Sequence, residues 1–189
     1  MKNLPHTQAA LKRRKQLEDA LLELMHTKAY AQTTVADICR VAGIPRRTFY
    51  HYFDCKEAVV DAVIEDMLNE CVLAVMLEFD QGYEIMRESL IRNFRYWQGP
   101  ARKKLDLLLE NGLSGEMMRC ALRWLDREHL SPAHRPGVNE KEMEIITMVG
   151  ASGFFTLLMH WRRNNYKESP EEMAVLVSKI LMTGIQTLP

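Results

Sequence analysis

The chain has 189 residues, with 25 Lys+Arg balanced by 25 Asp+Glu, 47% hydrophobic and 8% aromatic residues, and only 9 Gly and 7 Pro. That apolar fraction excludes a disordered chain, and the scarcity of Gly and Pro excludes collagen-like or low-complexity material. No uninterrupted apolar run approaches the roughly 20 residues of a membrane helix, and the opening Met1-Lys-Asn-Leu-Pro-His-Thr-Gln has no apolar signal core, so the expectation is a soluble, cytoplasmic protein with no membrane partner.

In chain order, almost every segment reads as helix. Thr7–Ala29 places Leu11, Leu17, Leu21, Leu24 and Met25 at helical spacing. After a polar break at Ala31-Gln-Thr, Thr34-Val-Ala-Asp37 has the form of a capping box, in which a hydroxyl and a carboxylate satisfy the first free amides of a helix. Gly43 marks its end and Pro45 the start of the next helix, where a missing N–H costs nothing. Asp54-Cys-Lys-Glu57 repeats the box pattern and opens a long helix to about Phe79. Breaks at Gly99-Pro100, Asn111-Gly112, Ser131–Gly137 and Ser169-Pro170 then delimit helices near 83–97, 101–110, 115–130, 139–165 and 171–187. Asn139-x-x-Glu142 and Ser169-Pro-Glu-Glu172 supply two further start signals. The pattern predicts an all-α fold of about nine helices, with an N-terminal helix-turn-helix domain over 1–56 and a further helical domain over 57–189.

Zero net charge conceals an asymmetry. Residues 1–56 carry a net +5, which leaves −5 on the remainder. A basic head on an acidic body is the footprint of a polyanion-binding segment. Cys39, Cys55, Cys71 and Cys120 stand singly with no CxxC spacing, and are expected to be reduced packing thiols. His129 and His134 are interrupted by Pro132, the wrong geometry for a metal pair on a helix. No cofactor and no metal are expected. There is no Gly-rich phosphate loop, nucleophile elbow or HExxH, so the chain is not read as an enzyme.

The informative stretch is Thr34-Val-Ala-Asp-Ile-Cys-Arg-Val-Ala-Gly-Ile-Pro-Arg-Arg-Thr-Phe-Tyr-His-Tyr-Phe. Two short helices around a turn holding Gly43 form a helix-turn-helix. Val35, Ile38, Val41, Ile44, Phe49 and Phe53 make the inward set, which leaves Arg46, Arg47, Thr48, Tyr50 and His51 largely pointing outward. Arginine reads guanine bidentately in the major groove, while hydroxyls, phenols and lysines commonly hold phosphates.

Thr34-Val-x-x-Ile-x-x-x-Ala-Gly-Ile, followed by Thr48-Phe-Tyr-x-Tyr-Phe and Lys56-Glu57, resembles the DNA-binding domain of the TetR family of transcriptional regulators over roughly residues 10–65. More faintly, Trp161-Arg-Arg-Asn-Asn-Tyr and Ser169-Pro-Glu-Glu-Met-Ala resemble a Firmicutes-type branch that includes regulators of dihydroxyacetone-kinase operons. The resemblance implies that 57–189 is a ligand-sensing and dimerisation domain, and that Thr34 caps the second helix and contacts phosphate. It implies that Arg46, Arg47 and Thr48 face base edges, that Tyr50 and His51 meet backbone or bases, and that Lys56 clamps a phosphate. Many members have a small residue where Arg47 stands, so its operator sequence or its phosphate grip should differ. Lys12-Arg-Arg-Lys15 is either a minor-groove or phosphate-binding tail or a solvated charged turn.

One recognition helix reads too few base pairs for genomic specificity, so a homodimer on an inverted-repeat operator in double-stranded DNA is expected. Thr147, Gly150, Ala151, Phe154 and Leu158, with Met173, Leu176, Val177, Ile180, Leu181 and Gly184, are candidates for its interface, or for an ordinary core. Among Met67, Met76, Met86, Phe94, Trp97, Leu108, Met117, Met118 and Trp124, a subset is expected to line a cavity for a small apolar or amphipathic ligand, with Phe94, Trp97, Met118 and Trp124 the chosen set. The resulting expectation is a repressor released by a ligand. The competing reading is a protein–protein adaptor that keeps the fold and acts through a partner.

Overall fold

In the computed structural model the described residues are 7–74, 83–127 and 139–186. The first helix, α1 (Gln8–Met25), starts where the Thr7 side chain accepts a hydrogen bond from the Ala10 amide at 3.3 Å. Its stripe of Leu17, Ala20, Leu21, Leu24 and Met25 is buried. A 3-10 turn, Tyr30–Gln32, leads to α2 (Val35–Ala42) and α3 (Arg46–Tyr52), and α1 packs on α2. Then follow α4 (Lys56–Ala74), α5 (Tyr83–Gln98), α6 (Arg102–Glu110), α7 (Ser114–Arg127), α8 (Glu140–Arg163) and α9 (Pro170–Gln186). Among the described residues all regular structure is helical, in nine α-helices and the one 3-10 turn. The expected ends of the fourth helix near Phe79 and of the seventh near residue 130 lie outside the described residues, as do Met76, His129 and His134.

The chain divides into two compact units. The first takes the chain through Asp66 together with Lys103–Cys120, and the second takes Met67–Arg102 and the chain from Ala121 onward. In the first unit Val59, Val60, Ala62, Val63 and Ile64 of α4 are all buried, which is a helix apolar on several sides and therefore enclosed. Glu18 is buried on α1, where Arg14 Nε and Lys15 Nζ reach its oxygens at 2.9 and 3.3 Å. Both cations also reach Asp66 at 3.6 Å. Burial, reinforced by the nearby Asp66 charge, raises the Glu18 pKa. Arg14 and Lys15 thus face a carboxylate pair within their own unit, while Lys12 and Arg13 are exposed.

In the second unit α5 packs along α9, and Arg95 pairs with Glu171 across that contact. Phe94 stacks between Phe154 and Trp161, with ring centroids at 5.5 and 5.3 Å. After α8 the chain turns through Asn165 and Tyr166, both left-handed at φ 54° and 53°. A bulky aromatic residue seldom adopts that conformation. Here Tyr166 is buried against Trp161 at 5.0 Å and Arg102 lies 4.6 Å over its ring, contacts that compensate the strain. Cys39, Cys71 and Cys120 are buried and Cys55 is exposed, all as free thiols.

Candidate nucleic-acid interface

The helix-turn-helix is built by local chemistry. The Thr34 hydroxyl accepts from the Asp37 amide at 3.2 Å, and the Asp37 carboxylate accepts from the Thr34 amide at 3.0 Å, the reciprocal capping box expected from the sequence. Lys28 Nζ then reaches the same carboxylate oxygen at 2.7 Å, tying the end of α1 to the start of α2. The Lys28 hydrogen bond first, and then those from Thr34, hold the Asp37 carboxyl far below the ordinary carboxylate range. At the other end Gly43 adopts φ 65° and ψ 27°, and the Ile44 amide closes on the Cys39 carbonyl at 3.0 Å. A side chain at Gly43 would be strained in that left-handed conformation. Pro45 follows at φ −59°, already set for the start of α3.

The α3 helix buries Phe49 completely, and Phe53 just after it nearly so, with ring centroids 5.8 Å apart. That anchor fixes which residues are left outside. Arg46, Arg47, Tyr50 and His51 are exposed and Thr48 is half-buried. The Tyr50 ring meets Phe49 edge-on at 5.4 Å, so it stands supported rather than loose. Among the described residues neither Arg46, Arg47 nor His51 has a hydrogen bond or ion pair. Two arginines in the first turn of α3, with no acidic residue there, oppose the helix dipole. Local stability disfavours that arrangement, and an approaching polyanion favours it.

Lys56 is engaged within the chain itself. Its Nζ donates to the Tyr30 and Thr33 carbonyls at 2.9 and 3.0 Å, approaches that of Ala31 at 3.5 Å, and sits 4.3 Å over the Tyr30 ring. The first residue of α4 therefore caps the turn that delivers Thr34. A second clamp grips the same turn: Asn111 Oδ1 accepts from the Tyr30 amide at 2.8 Å, while Asn111 Nδ2 donates to the Leu107 and Met25 carbonyls at 3.0 and 3.3 Å. The left-handed Gly112, at φ 77°, closes the α6–α7 corner beside it. In sequence Asn111-Gly112 is legible only as a break, because Tyr30 and Met25, which Asn111 grips, lie 81 and 86 residues away. Lys28 was likewise silent.

Of the residues expected to line a ligand cavity, Phe94, Trp97 and Trp124 are buried in the second unit, and Met118 is half-buried in the first. Trp124 Nε1 donates to Asn69 Oδ1 at 2.8 Å. Of the expected interface residues, Leu158 is buried within the chain, Phe154 is half-buried against Phe94, Val177 is half-buried and Gly150 is exposed. Leu181, Thr147 and Gly184 have side-chain surroundings outside the described residues.

Two family models match the chain. One, described as bacterial regulatory proteins of the tetR family, covers residues 17–63; the other, a transcriptional regulator C-terminal region, covers residues 104–183. The chain belongs to the TetR family. Similar TetR-family proteins include the HTH-type transcriptional regulator EthR of Mycolicibacterium smegmatis, 36% identical over 67 residues, which are 35% of this chain and 27% of that protein. The HTH-type transcriptional repressor KstR2 of Rhodococcus jostii is 38% identical over 58 residues, 31% of this chain and 28% of that one. The dhaKLM operon transcriptional activator DhaS of Lactococcus lactis subsp. lactis is 38% identical over 53 residues, 28% of each. The matched segment is thus less than a third of the length of these curated relatives. Among solved structures the fold is shared over nearly the whole chain. The dihydroxyacetone kinase operon activator DhaS aligns at TM-score 0.53 and 20% identity, over 93% of this chain and 97% of that one. The fatty acid degradation regulator FadR from Bacillus halodurans aligns at TM-score 0.57 and 18% identity, over 96% of both.

Proposed function

We propose that the protein is a sequence-specific double-stranded-DNA-binding transcriptional regulator, acting as a homodimer on an inverted-repeat operator. The observation that carries this reading is the outer face of α3, where Arg46 and Arg47 stand exposed and unpaired among the described residues, beside Tyr50 and His51. Guanidinium forks without protein partners at the start of a helix suit base edges and phosphates of the major groove. Residues 1–56 form the reading head, and 57–189 carry dimerisation and sensing.

The dimer is supported by large apolar side chains exposed in the single chain. Ile145, Met148 and Val149 on α8 are 53, 50 and 67% exposed, and Leu176 and Ile180 on α9 are 52 and 71% exposed. Such a run of large apolar side chains marks an interaction surface, and a second copy presents the same face. Gly150 and Gly153 are exposed on the same helix, with nothing within 4 Å of a Cβ built at either, and leave room for close helix approach.

The regulator acts as a repressor released by a small apolar or amphipathic ligand. Blocking a promoter requires no contact beyond DNA itself, and a ligand shifts DNA affinity only through a difference in its own affinity for the two shapes. The adaptor reading has less support, because EthR, KstR2 and DhaS are HTH-type transcriptional regulators. Selection of bound sequences from a random duplex pool by the purified protein tests the proposal. An enriched inverted repeat with half-sites about one DNA turn apart, roughly 34–36 Å, is the expected result. Absence of enrichment by a folded, dimeric protein would overturn it in favour of the adaptor.

A further inference from the structure

The second unit holds three tryptophans, Trp97, Trp124 and Trp161, each at least nineteen-twentieths buried. A buried indole N–H normally finds an acceptor, since tryptophan has no other way to satisfy it. Two of them do. Trp124 Nε1 donates to Asn69 Oδ1 at 2.8 Å, and Trp161 Nε1 to the Glu168 carbonyl at 2.9 Å. Trp97 Nε1 has no hydrogen-bond partner.

One helical turn earlier on the same face of α5 sits Asn93, itself 7% exposed. Its amide nitrogen donates to the Cys71 sulfur at 3.4 Å, which turns the amide oxygen away, and that oxygen also has no partner. Both residues lie beside one thiol. Both Trp97 and Asn93 favour the Cys71 thiolate, although Trp97 falls short of hydrogen-bond geometry, and burial nonetheless raises the thiol to about 12, so it stays neutral. The neighbouring phenol, Tyr96 OH, is by contrast satisfied by the Met67 carbonyl at 2.8 Å. Met86, Leu90 and Phe94 on α5 are buried apolar residues flanking the pair in sequence. One buried donor and one buried acceptor are therefore left open a helical turn apart on α5, both on residues beside Cys71.

We propose that Trp97 and Asn93, with Cys71, form the polar end of an effector site that takes a neutral head group able both to accept and to donate a hydrogen bond, such as a primary amide or an alcohol, on an apolar body. The indole N–H gives to the head group's oxygen, and the Asn93 oxygen receives its N–H or O–H. A carboxylate offers only acceptors and would bring a charge that neither residue balances. The inference rests on the proposal that the protein senses a ligand, and it deepens it by naming the ligand's chemistry.

The test is titration of the full-length protein, without DNA, with hexanamide, hexanol and hexanoate, the last well above its pKa, followed by calorimetry and thermal denaturation. Hexanamide and hexanol are expected to bind and to raise the melting temperature, and hexanoate to bind at least tenfold more weakly. Asn93→Leu and Trp97→Phe are each expected to weaken hexanamide at least tenfold. Equal or tighter binding of hexanoate overturns the proposal, as does unchanged hexanamide affinity in folded variants. Failure of all three probes, with Asn93→Leu melting higher than the parent chain, shows a hydrated core pair and also overturns it. If both variants fail to fold, the selectivity of the parent chain between amide and carboxylate decides the matter alone. Because no DNA is present, an enriched operator with no amide binding refutes this inference and leaves the DNA-binding proposal standing.

Discussion

Replacing Lys56 with Met separates two roles that a lysine at this position can hold. Methionine keeps an unbranched apolar stem and loses only the charge and its donors. Lys56 Nζ makes two short hydrogen bonds, to the Tyr30 and Thr33 carbonyls, a longer approach to Ala31, and a contact 4.3 Å over the Tyr30 ring. A hydrogen bond involving a charged group contributes about 1.5–3 kcal/mol, and an exposed cation–π contact about 0.5–1 kcal/mol. The turn is partly solvated, with Ala31 and Gln32 exposed, so water recovers much of what the carbonyls lose. A net cost of about 2 kcal/mol follows, from the lower end of the charged-bond range after that discount. In a chain of this size it corresponds to a fall of about 4–8 °C in melting temperature. The assay is thermal denaturation of Lys56→Met beside the salt dependence of operator binding. If Lys56 instead acts only as a phosphate clamp, stability is unchanged and, with one Lys56 in each protomer of the proposed dimer, the slope of log K against log salt shortens by about 1.8. That pair of results would refute the reasoning from the turn geometry.

Arg46→Ala should relax operator preference at one base step, costing about 1–3 kcal/mol for a lost bidentate contact; equal losses on specific and random DNA would make Arg46 a phosphate ligand instead. Asp37 has a folded pKa depressed below its unfolded value by Lys28 and Thr34, so its contribution to stability is present above the ordinary carboxylate range and disappears as pH falls through the folded value. The denaturant midpoint of Asp37→Asn should therefore lie below that of the parent at neutral pH and converge with it in acid; a gap independent of pH refutes the assignment. Val149→Glu and Ile180→Glu place a charge on the exposed α8 and α9 face and should lower the sedimentation coefficient toward that of a monomer at low micromolar concentration. No change on either substitution would remove that face from the interface.

The helix-turn-helix was readable residue by residue because its determinants are local. The Thr34–Asp37 box, the left-handed Gly43, Pro45 and the Phe49/Phe53 pair each act within four residues in sequence, and each occupies the place its spacing demands. Helix boundaries followed for the same reason, since caps and breakers declare themselves locally. The choice of interface residues was harder. Periodicity places Phe154, Leu158 and Gly150 at related positions on α8, yet among the described residues Leu158 is buried within the chain, while the large apolar side chains exposed on this helix are Ile145, Met148 and Val149. A helix buried on one side and apolar on another shows a single broad stripe in sequence. Only the position of α5, whose Phe94 meets Phe154 and Trp161, decides which part is covered.

What the sequence by itself determined is the class of fold, the order of the helices and the chemistry of the outer face of α3. All three depend on short-range patterns that survive without neighbours. Tertiary structure alone decided where individual polar groups terminate. It put Lys56 under the Tyr30–Gln32 turn, and brought Asn111 from the α6–α7 corner to the same turn. It left Trp97 and Asn93 open while satisfying Trp124 and Trp161. A hydrogen bond requires a partner within about 3 Å at a suitable angle, and that geometry arises only when distant segments of the chain are packed.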